Sequence, residues 1–331
     1  MSAKNKKDTR HTVAEALTDC RLCGHDCGVN RLAGEKGVCG AGARAQVSAE
    51  LPHFGEEPPI SGAKGSGTIF FSRCNLKCVF CQNHQISQQG NGRLVSDQEL
   101  ADIMIGLADQ GAHNINLVSP TPWIPQILSA LRLARVRGLT LPIVYNTGGY
   151  DSRTALGLLD GHIDIYLPDI KYMDNKTAER YSGGVSYPEF NQAAIREMVR
   201  QAGHLTLSPS GVAIQGVLVR HLVLPRNQAQ TDQVLTWLAR EFGPDIHVSL
   251  MAQYTPMHRA AGEADRFPEL SRALTCREYE AAIDTALELD LQNAFIQELS
   301  ASQTYVPDFE SSNVFQDTDV PAGYRQRLWD C

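Results

Sequence analysis

The sequence predicts an α/β protein whose core is a partial, TIM-like (β/α)6 barrel preceded by a small cysteine-rich module. Two observations favour this fold class: six apolar strand-like runs, and amphipathic helices that lie between most of them. Such alternation implies parallel strands joined by right-handed crossovers. A complete eight-stranded barrel takes about 250 residues, and the alternating region is somewhat shorter. We therefore predict six strands, with a doubly wound open sheet as the alternative.

Three regions separate by composition along the 331 residues. Residues 1–66 are rich in Cys, Gly and Pro, and we predict that they form a cysteine-rich N-terminal module and linker. Residues 67–292 carry the strands and helices of the barrel. Residues 293–331 are polar and contain prolines, so we predict an irregular C-terminal tail.

The predicted strands and helices follow one another in order. The strands are the apolar runs 67–71, 114–118, 141–146, 163–167, 217–224 and 246–251. Ser96 and Glu99 form a capping box at the start of the first helix, and Thr275 and Glu278 form another at the start of the last. Between them, apolar residues at helical spacing predict one helix from about residue 124, ended by Gly138, and one from about residue 231.

Composition disfavours several classes of partner. The formal net charge is −7, and no Lys/Arg block follows residues 4–7, which disfavours a nucleic-acid partner. The N-terminus lacks the apolar core of a signal peptide, and no stretch approaches the roughly 20 apolar residues of a membrane helix. We therefore expect a cytoplasmic protein without a membrane partner. In that reducing compartment, the nine cysteines indicate metal ligation or catalysis rather than disulfides.

Three cysteines directly after the first predicted strand carry the strongest functional signal. Cys74, Cys78 and Cys81 have C-x3-C-x2-C spacing, and barrel active sites lie on the loops at the carboxyl ends of strands. Three thiolates can hold three irons of a [4Fe-4S] cluster and leave the fourth iron open for the amino and carboxylate groups of S-adenosylmethionine (SAM). The alternatives are a zinc site with a fourth ligand, or ordinary packing of buried cysteines. His84, three residues after Cys81, is the candidate for a fourth protein ligand.

The stretch SGTIFFSRCNLKCVFCQN resembles the signature of the radical SAM superfamily. Its aromatic residue before the third cysteine is Phe80, which in that family borders the adenine of SAM. Further segments resemble an uncharacterised branch related to pyruvate formate-lyase activating enzymes, over most of residues 20–290. They are CRLCGHDCGVNRLAGEKGVCGAG, HFGEEPPISG, YNTGGYD, DIYLPDIKYMD, VRHLVLP and MAQYTP.

This resemblance implies an enzyme that reductively cleaves SAM to a 5′-deoxyadenosyl radical. The radical would abstract hydrogen from a protein or small-molecule substrate, as in activation of a glycyl-radical enzyme. A low-potential electron donor, flavodoxin or ferredoxin, would be its partner. The alternative is a non-catalytic iron–sulfur or zinc protein that serves electron transfer or interaction.

Charged residues on two strands are candidates for SAM binding. Asp169 and Lys171 fall on one face if the fourth strand continues through them. The relatives carry a similar D-x-K that contacts SAM, whereas the alternative is a surface salt bridge. Arg220 interrupts an apolar run, where it would be costly without an anionic partner. The resemblance implies a role near SAM, and structural pairing is the alternative.

Three further elements compare with the relatives, one as a match and two as departures. Asn146 and Thr147 end the third strand where the relatives place a T/N-G element near SAM. After the second strand the relatives carry Gly-Gly-Glu, but here the hydroxyls of Ser119 and Thr121 are the candidates for those contacts. The last strand of the pyruvate formate-lyase activators also supplies a His that is absent from MAQYTP, so their substrate does not transfer.

The N-terminal module contains a second cysteine set with C-x2-C-x3-C-x11-C spacing. Glycines between the cysteines permit the tight turns of metal ligation. Zinc, a second [4Fe-4S] cluster and an unmetallated module are all open at this point. The candidate ligands are Cys20, Cys23, Cys27 and Cys39. Glu56 and Glu57 follow, either as acid/base groups at the active-site rim or in a solvated linker.

Overall fold

One mixed β-sheet carries the fold in the computed structural model, which describes residues 13–299, 306–311, 314–315 and 324–325. Eleven strands occur in this part of the chain. They are β1 (Ala45–His53), β2 (Ser66–Phe71), β3 (Arg93–Val95), β4 (Ile115–Val118), β5 (Ile143–Thr147), β6 (Ile165–Pro168), β7 (Thr206–Leu207), β8 (Ala213–Leu222), β9 (His247–Met251), β10 (Ala294–Gln297) and β11 (Tyr324–Arg325). All six predicted strands are present, as β2, β4, β5, β6, β8 and β9.

The parallel strands lie side by side in the order in which the chain makes them. The order β2-β4-β5-β6-β8-β9-β10 is parallel at every step. A doubly wound sheet would reverse its strand order at a switch point, whereas a barrel wall adds each strand on the same side. The wall ends on antiparallel strands, β1 and β3 at one edge and β11 at the other. The prediction of a partial α/β barrel is therefore confirmed, and the doubly wound alternative is wrong.

Two regions predicted to lack regular structure contribute strands to this sheet. β1 lies within the N-terminal region, and two of the residues on its buried face, Ala45 and Ala49, are alanines, which are a weak strand signal. β10 lies within the predicted irregular tail, where its four buried residues are too short a run to stand out. The wall consequently has seven parallel strands instead of six.

Helices connect the strands and pack against the sheet. They are α1 (Glu15–Thr18), α2 (Pro58–Ser61), α3 (His84–Ser87), α4 (Asp97–Asp109), α5 (Ile124–Val136), α6 (Arg153–Leu159), α7 (Asn175–Ser182), α8 (Tyr187–Ala202), α9 (Thr231–Phe242), α10 (His258–Gly262) and α11 (Cys276–Glu288). Both predicted capping boxes are present, at Ser96 before α4 and at Thr275 before α11. Among the described residues, no helix has the length and apolar character needed to cross a membrane.

A small apolar cluster, separate from the main core, fills the concave side of the sheet. It contains Val144, Leu167 and Leu218 from three neighbouring strands, together with Ile60 of α2. The short segment before β2 therefore inserts into the barrel instead of running over its surface. This insertion determines where the two preceding glutamates lie.

Candidate functional site

A cleft opens above this interior cluster, where the parallel strands reach their carboxyl ends. Ten of the predicted site residues lie along it, on five different strand ends or the loops that follow them. They are Cys74, Cys78, Phe80, Cys81, Ser119, Asn146, Thr147, Asp169, Lys171 and Arg220. Thr121 is absent from the lining of this cleft.

The loop that carries the three cysteines is held by backbone hydrogen bonds from two helices. The Lys77 N–H donates to the carbonyl of Ser182 (2.8 Å), and the Val79 N–H donates to the carbonyl of Tyr181 (2.8 Å), both at the end of α7. The Val79 carbonyl in turn accepts from Ala260 of α10 (2.8 Å). The three sulfur atoms are therefore presented to the cleft by a fixed loop.

Two of the cysteine sulfurs accept hydrogen bonds, and the third, Cys81 Sγ, lies 3.2 Å from the hydroxyl of Ser87. The hydroxyl of fully buried Ser182 donates to Cys78 Sγ at 3.0 Å. The Leu76 N–H donates to Cys74 Sγ at 3.4 Å. Both donors point a partial positive charge at sulfur, which stabilises a thiolate and a metal bound to it.

Burial works against free thiolates at this place. It raises the pKa of Cys74 to about 11 and that of Cys81 to about 12. Without a bound cation, both cysteines would carry protons at neutral pH. A metal that replaces those protons compensates the buried negative charge, as expected of a ligand set.

The donor set fits a three-cysteine cluster. A structural zinc ion takes four protein ligands, whereas three thiolates can hold three irons of a [4Fe-4S] cluster. The three cysteines line one cleft, and His84, the candidate for a fourth ligand, is not part of that lining.

His84 does not face this cleft. Its Nδ1 lies 3.2 Å from the carbonyl oxygen of Cys81, and its ring stacks on that of His258 with centroids 4.6 Å apart. It is not among the residues that line the cleft. The structure therefore does not bring this fourth-ligand candidate to the cysteine triplet.

Asp169 and Lys171 form an ion pair within the cleft. Lys171 Nζ lies 2.5 Å from Asp169 Oδ2, and the two side chains are only 16% and 20% exposed. Burial opposes the charge of Lys171, but attraction to Asp169 and Cys78 outweighs it and raises the pKa of the lysine. The pair is largely buried and lines the cleft, so it is a salt bridge of the cleft wall and not of the outer surface.

Arg220 pairs with the two glutamates that precede α2. Its Nε lies 3.0 Å from Glu57 Oε1, and its Nη1 lies 3.5 Å from Glu56 Oε2. Both carboxylates are buried, Glu57 completely. Burial raises the pKa of Glu57, and attraction to Arg220 opposes that rise. The prediction of a solvated linker is therefore wrong, because α2 carries these residues into the barrel.

Glu56 also organises the polar floor of the cleft. Its Oε1 accepts hydrogen bonds from Asn116 Nδ2 at 2.8 Å and from Asn146 Nδ2 at 3.4 Å. Asn116 lies in the middle of fully buried β4, so a polar residue inside an apolar strand was the available signal for this contact. Asn146 faces the cleft at the same time, on the neighbouring strand.

The hydroxyl of Thr121 is used elsewhere, which corrects its prediction as a SAM contact. It donates to Asp151 Oδ1 at 2.8 Å, while the hydroxyl of Thr147 donates to Oδ2 of the same carboxylate at 2.6 Å. Tyr145 adds a third hydrogen bond at 2.7 Å. Asp151 is buried, and burial raises its pKa despite these donors. Thr147 lines the cleft, but its hydroxyl is oriented by Asp151.

Two close contacts shape the rim beside these residues. Gly149 adopts φ 74°, and a side chain there would lie 2.2 Å from the Asp169 carbonyl oxygen, so only glycine fits this turn. Ser119 also has positive φ (58°), and its N–H donates to the Asn146 carbonyl at 3.0 Å. This conformation turns the chain sharply at the end of β4 and leaves Ser119 along the cleft.

Residues of the C-terminal region reach the mouth of the cleft. Phe315 is buried and stacks on His53 with ring centroids 4.4 Å apart, and Pro307 also lines the opening. Burial, with a smaller effect of Arg220, lowers the pKa of His53 to about 4, so this histidine is neutral at pH 7. This C-terminal segment therefore forms part of the lining of the cleft.

The four N-terminal cysteines come together in the fold, away from the lining of the cleft. Burial raises the pKa of Cys23, and the neighbouring Cys39, Cys27 and Cys20 raise it further. All four are free of disulfides and partly buried. Cys23 also forms an isolated antiparallel bridge with Asp151, which attaches the module to the loop after β5.

Comparison with known proteins identifies relatives of this chain. The model of the Radical SAM superfamily matches residues 68–208. An uncharacterised protein of Methanocaldococcus jannaschii is 31% identical over 296 residues, which cover 87% of this chain and 80% of the relative.

Solved structures with a similar fold include two with low sequence identity. The structure of native anSMEcpe with bound AdoMet is similar over 65% of this chain and 57% of that chain, with 11% identity and a TM-score of 0.45. HydG, a maturase of the [FeFe]-hydrogenase, is similar over 67% of this chain and 48% of its own, with 13% identity and a TM-score of 0.45. The matched part thus spans about half the length of each.

Proposed function

Because the chain belongs to the radical SAM superfamily, we propose that it is a SAM-cleaving enzyme with its [4Fe-4S] cluster on Cys74, Cys78 and Cys81. When bound, the cluster supplies the electron that cleaves SAM to a 5′-deoxyadenosyl radical, which abstracts hydrogen from the substrate. The observation that carries this proposal is the cleft itself. It joins three fixed cysteines to a buried ion pair and an arginine at the strand ends.

The polar residues of the cleft have complementary roles toward SAM in this proposal. The Asp169–Lys171 pair offers both charges to the zwitterionic amino-acid end of SAM, and Arg220, which is paired with Glu56 and Glu57, lines the same cleft on the neighbouring strand. Phe80, which packs edge-on against Tyr254 at 5.7 Å, borders the adenine. Asn146, Thr147 and Ser119 supply hydrogen bonds from the ends of the two strands on the other side of β6. Thr121 has no role in this proposal, because it does not line the cleft.

The substrate is a protein or a small molecule that enters beside Phe315 and His53, and the electron donor is flavodoxin or ferredoxin. Gln253 and Tyr254 lie along the cleft at the end of β9, where the pyruvate formate-lyase activators carry a histidine. This difference in the residues available to a substrate argues against the same substrate, and the activase-like reaction type in this proposal derives from the sequence resemblance alone.

The test is anaerobic reconstitution with iron and sulfide, followed by reduction with dithionite in the presence of SAM. We expect 5′-deoxyadenosine, measured by chromatography and mass spectrometry, to depend on both the reductant and the cluster. Full iron loading with no 5′-deoxyadenosine would overturn the enzyme proposal. It would favour the electron-transfer alternative instead.

The hydrogen bond to Cys78 predicts an effect on the reduction potential. Ser182→Ala removes the hydroxyl that donates to Cys78 Sγ, and this donor stabilises the more negative, reduced cluster. We expect a lower reduction potential for the cluster on the cysteine triplet. It is measured in a redox titration that follows the EPR signal that changes when SAM is added. Ser182→Thr keeps a hydroxyl and is the matched control. An unchanged potential in a folded, fully loaded Ser182→Ala variant would contradict this role.

A further inference from the structure

The N-terminal module brings its four cysteines together through short backbone contacts. The Cys20 N–H donates to the Val29 carbonyl at 3.1 Å, and the Gly28 N–H donates back to the Cys20 carbonyl at 3.0 Å. This pairing places residues 28 and 29, which follow Cys27, opposite Cys20. Between them, the Asp26 N–H donates to the Cys23 carbonyl at 3.0 Å and closes a turn.

The segment that carries the last cysteine packs closely on the same turn. A side chain at Gly37 would lie 2.7 Å from Cys27 Sγ, so the absence of a side chain lets this backbone approach the sulfur. Cys39 follows two residues later, within the turn that the Gly40 N–H closes on the Gly37 carbonyl at 3.0 Å. The glycines and turns of the module therefore bring its four cysteines together.

We infer that Cys20, Cys23, Cys27 and Cys39 hold a second, redox-active [4Fe-4S] cluster. None of the four is in a disulfide, and four cysteines supply a complete ligand set for such a cluster. With four protein ligands, no iron is left open, so this cluster does not bind SAM. This distinguishes its chemistry from that of the cysteine triplet in the cleft.

The place of the module in the fold favours iron–sulfur over zinc. Four thiolates can hold either a zinc ion or a [4Fe-4S] cluster. A zinc ion has no redox chemistry, whereas this module packs beside the loop that carries the cysteine triplet.

The module also contacts the loop that carries the triplet. His25 Nε2 lies 2.7 Å from the carbonyl oxygen of Asn75, the residue next to Cys74. The Asn75 side chain donates to the Tyr150 carbonyl at 3.0 Å, and the ring of Tyr150 packs edge-on against His25 at 5.1 Å. A short connected path therefore links the two cysteine sets, which places a redox centre beside the first cluster.

Two variants of the full chain test this inference. In the first, Cys74→Ala, Cys78→Ala and Cys81→Ala remove the triplet. We expect the reconstituted protein to keep about four iron and four sulfide ions. Reduction with dithionite should give an EPR signal that SAM does not change. Retained zinc, loss of all metal, or a signal that SAM alters would each overturn the inference.

The second variant combines Cys20→Ala, Cys23→Ala, Cys27→Ala and Cys39→Ala. It should lose the SAM-insensitive signal and half of the iron, while the triplet keeps its SAM-responsive signal. Full iron content in this variant would overturn the inference. This outcome is separate from the proposed function, because the first variant tests the second cluster in a protein that cannot cleave SAM.

Discussion

Replacing Cys78 with alanine is expected to abolish formation of 5′-deoxyadenosine. Cys78 is the most buried cysteine of the triplet, and its sulfur accepts the hydrogen bond from Ser182. Without this ligand the triplet offers two thiolates, which do not hold the irons that a site-differentiated cluster requires. The measurement is 5′-deoxyadenosine after reconstitution and reduction, with the iron and sulfide content of the same sample.

The loop should survive this substitution. Its backbone is held by hydrogen bonds of Lys77 and Val79 to the end of α7, and none of these involves the removed sulfur. Loss of activity should therefore appear without a large change in the unfolding midpoint. A variant that unfolds would instead indicate a structural role for the thiol.

Cys276→Ala is the matched control, because Cys276 is exposed at the start of α11 and remote from the cleft lining. We expect wild-type activity and iron content for it. If Cys78→Ala retained substantial 5′-deoxyadenosine formation, the assignment of the cluster to this triplet would be wrong.

The sequence was sufficient to predict the barrel because its strands are continuous apolar runs. A strand such as β6, buried at all four positions, is apolar on both faces, and such runs are visible without tertiary information. β1 and β10 were missed for the opposite reason. β1 carries small residues at its buried positions, and β10 has only four residues, so tertiary pairing decides their conformation.

For the site as well, patterns that are local in the sequence could be predicted, whereas contacts made only by the folded chain could not. The cysteine triplet and the Asp169–Lys171 spacing are local patterns, and the structure brings them to one cleft. The partners of Arg220 are not local, because Glu56 and Glu57 reach it only when α2 inserts into the barrel. Thr121 shows the limit most directly. Its position after β4 suggested the cleft, but Asp151, thirty residues away in the chain, binds its hydroxyl.

The buried charges around Arg220 lead to the second large expected effect, a loss of stability in Arg220→Met. The side chain of Arg220 is 13% exposed, and that of Glu57 is fully buried. Methionine retains much of the volume but leaves two buried carboxylates without their cation. Breaking a buried ion pair in this way costs about 3–5 kcal/mol, so we expect a large fall in the urea unfolding midpoint.

The deficit should grow as the pH rises. Burial already raises the pKa of Glu57 above its ordinary value of 4.5, and loss of Arg220 removes the attraction that opposes this rise. The folded variant then retains a proton that the unfolded chain releases, so stability falls with rising pH above that ordinary value. Unfolding measured at mildly acidic and mildly alkaline pH tests this sign. A deficit independent of pH would contradict the assignment to Glu57.

Two further variants separate the buried pair from a general effect of losing an arginine. Arg220→Met combined with Glu57→Gln removes the Glu57 carboxylate together with its cation. This double variant should regain part of the stability that Arg220→Met loses, and it should lose most of the pH dependence that Arg220→Met introduces. Arg196→Met breaks an exposed pair with Glu241, in which the Arg196 side chain is 46% exposed. It should lower the free energy of unfolding by under about 1 kcal/mol. If both arginine variants lost equal stability, burial of Glu57 would not be the cause. The comparison thus tests whether the buried pair of Arg220 and Glu57, next to the inserted α2, stabilises the protein more than an exposed ion pair does.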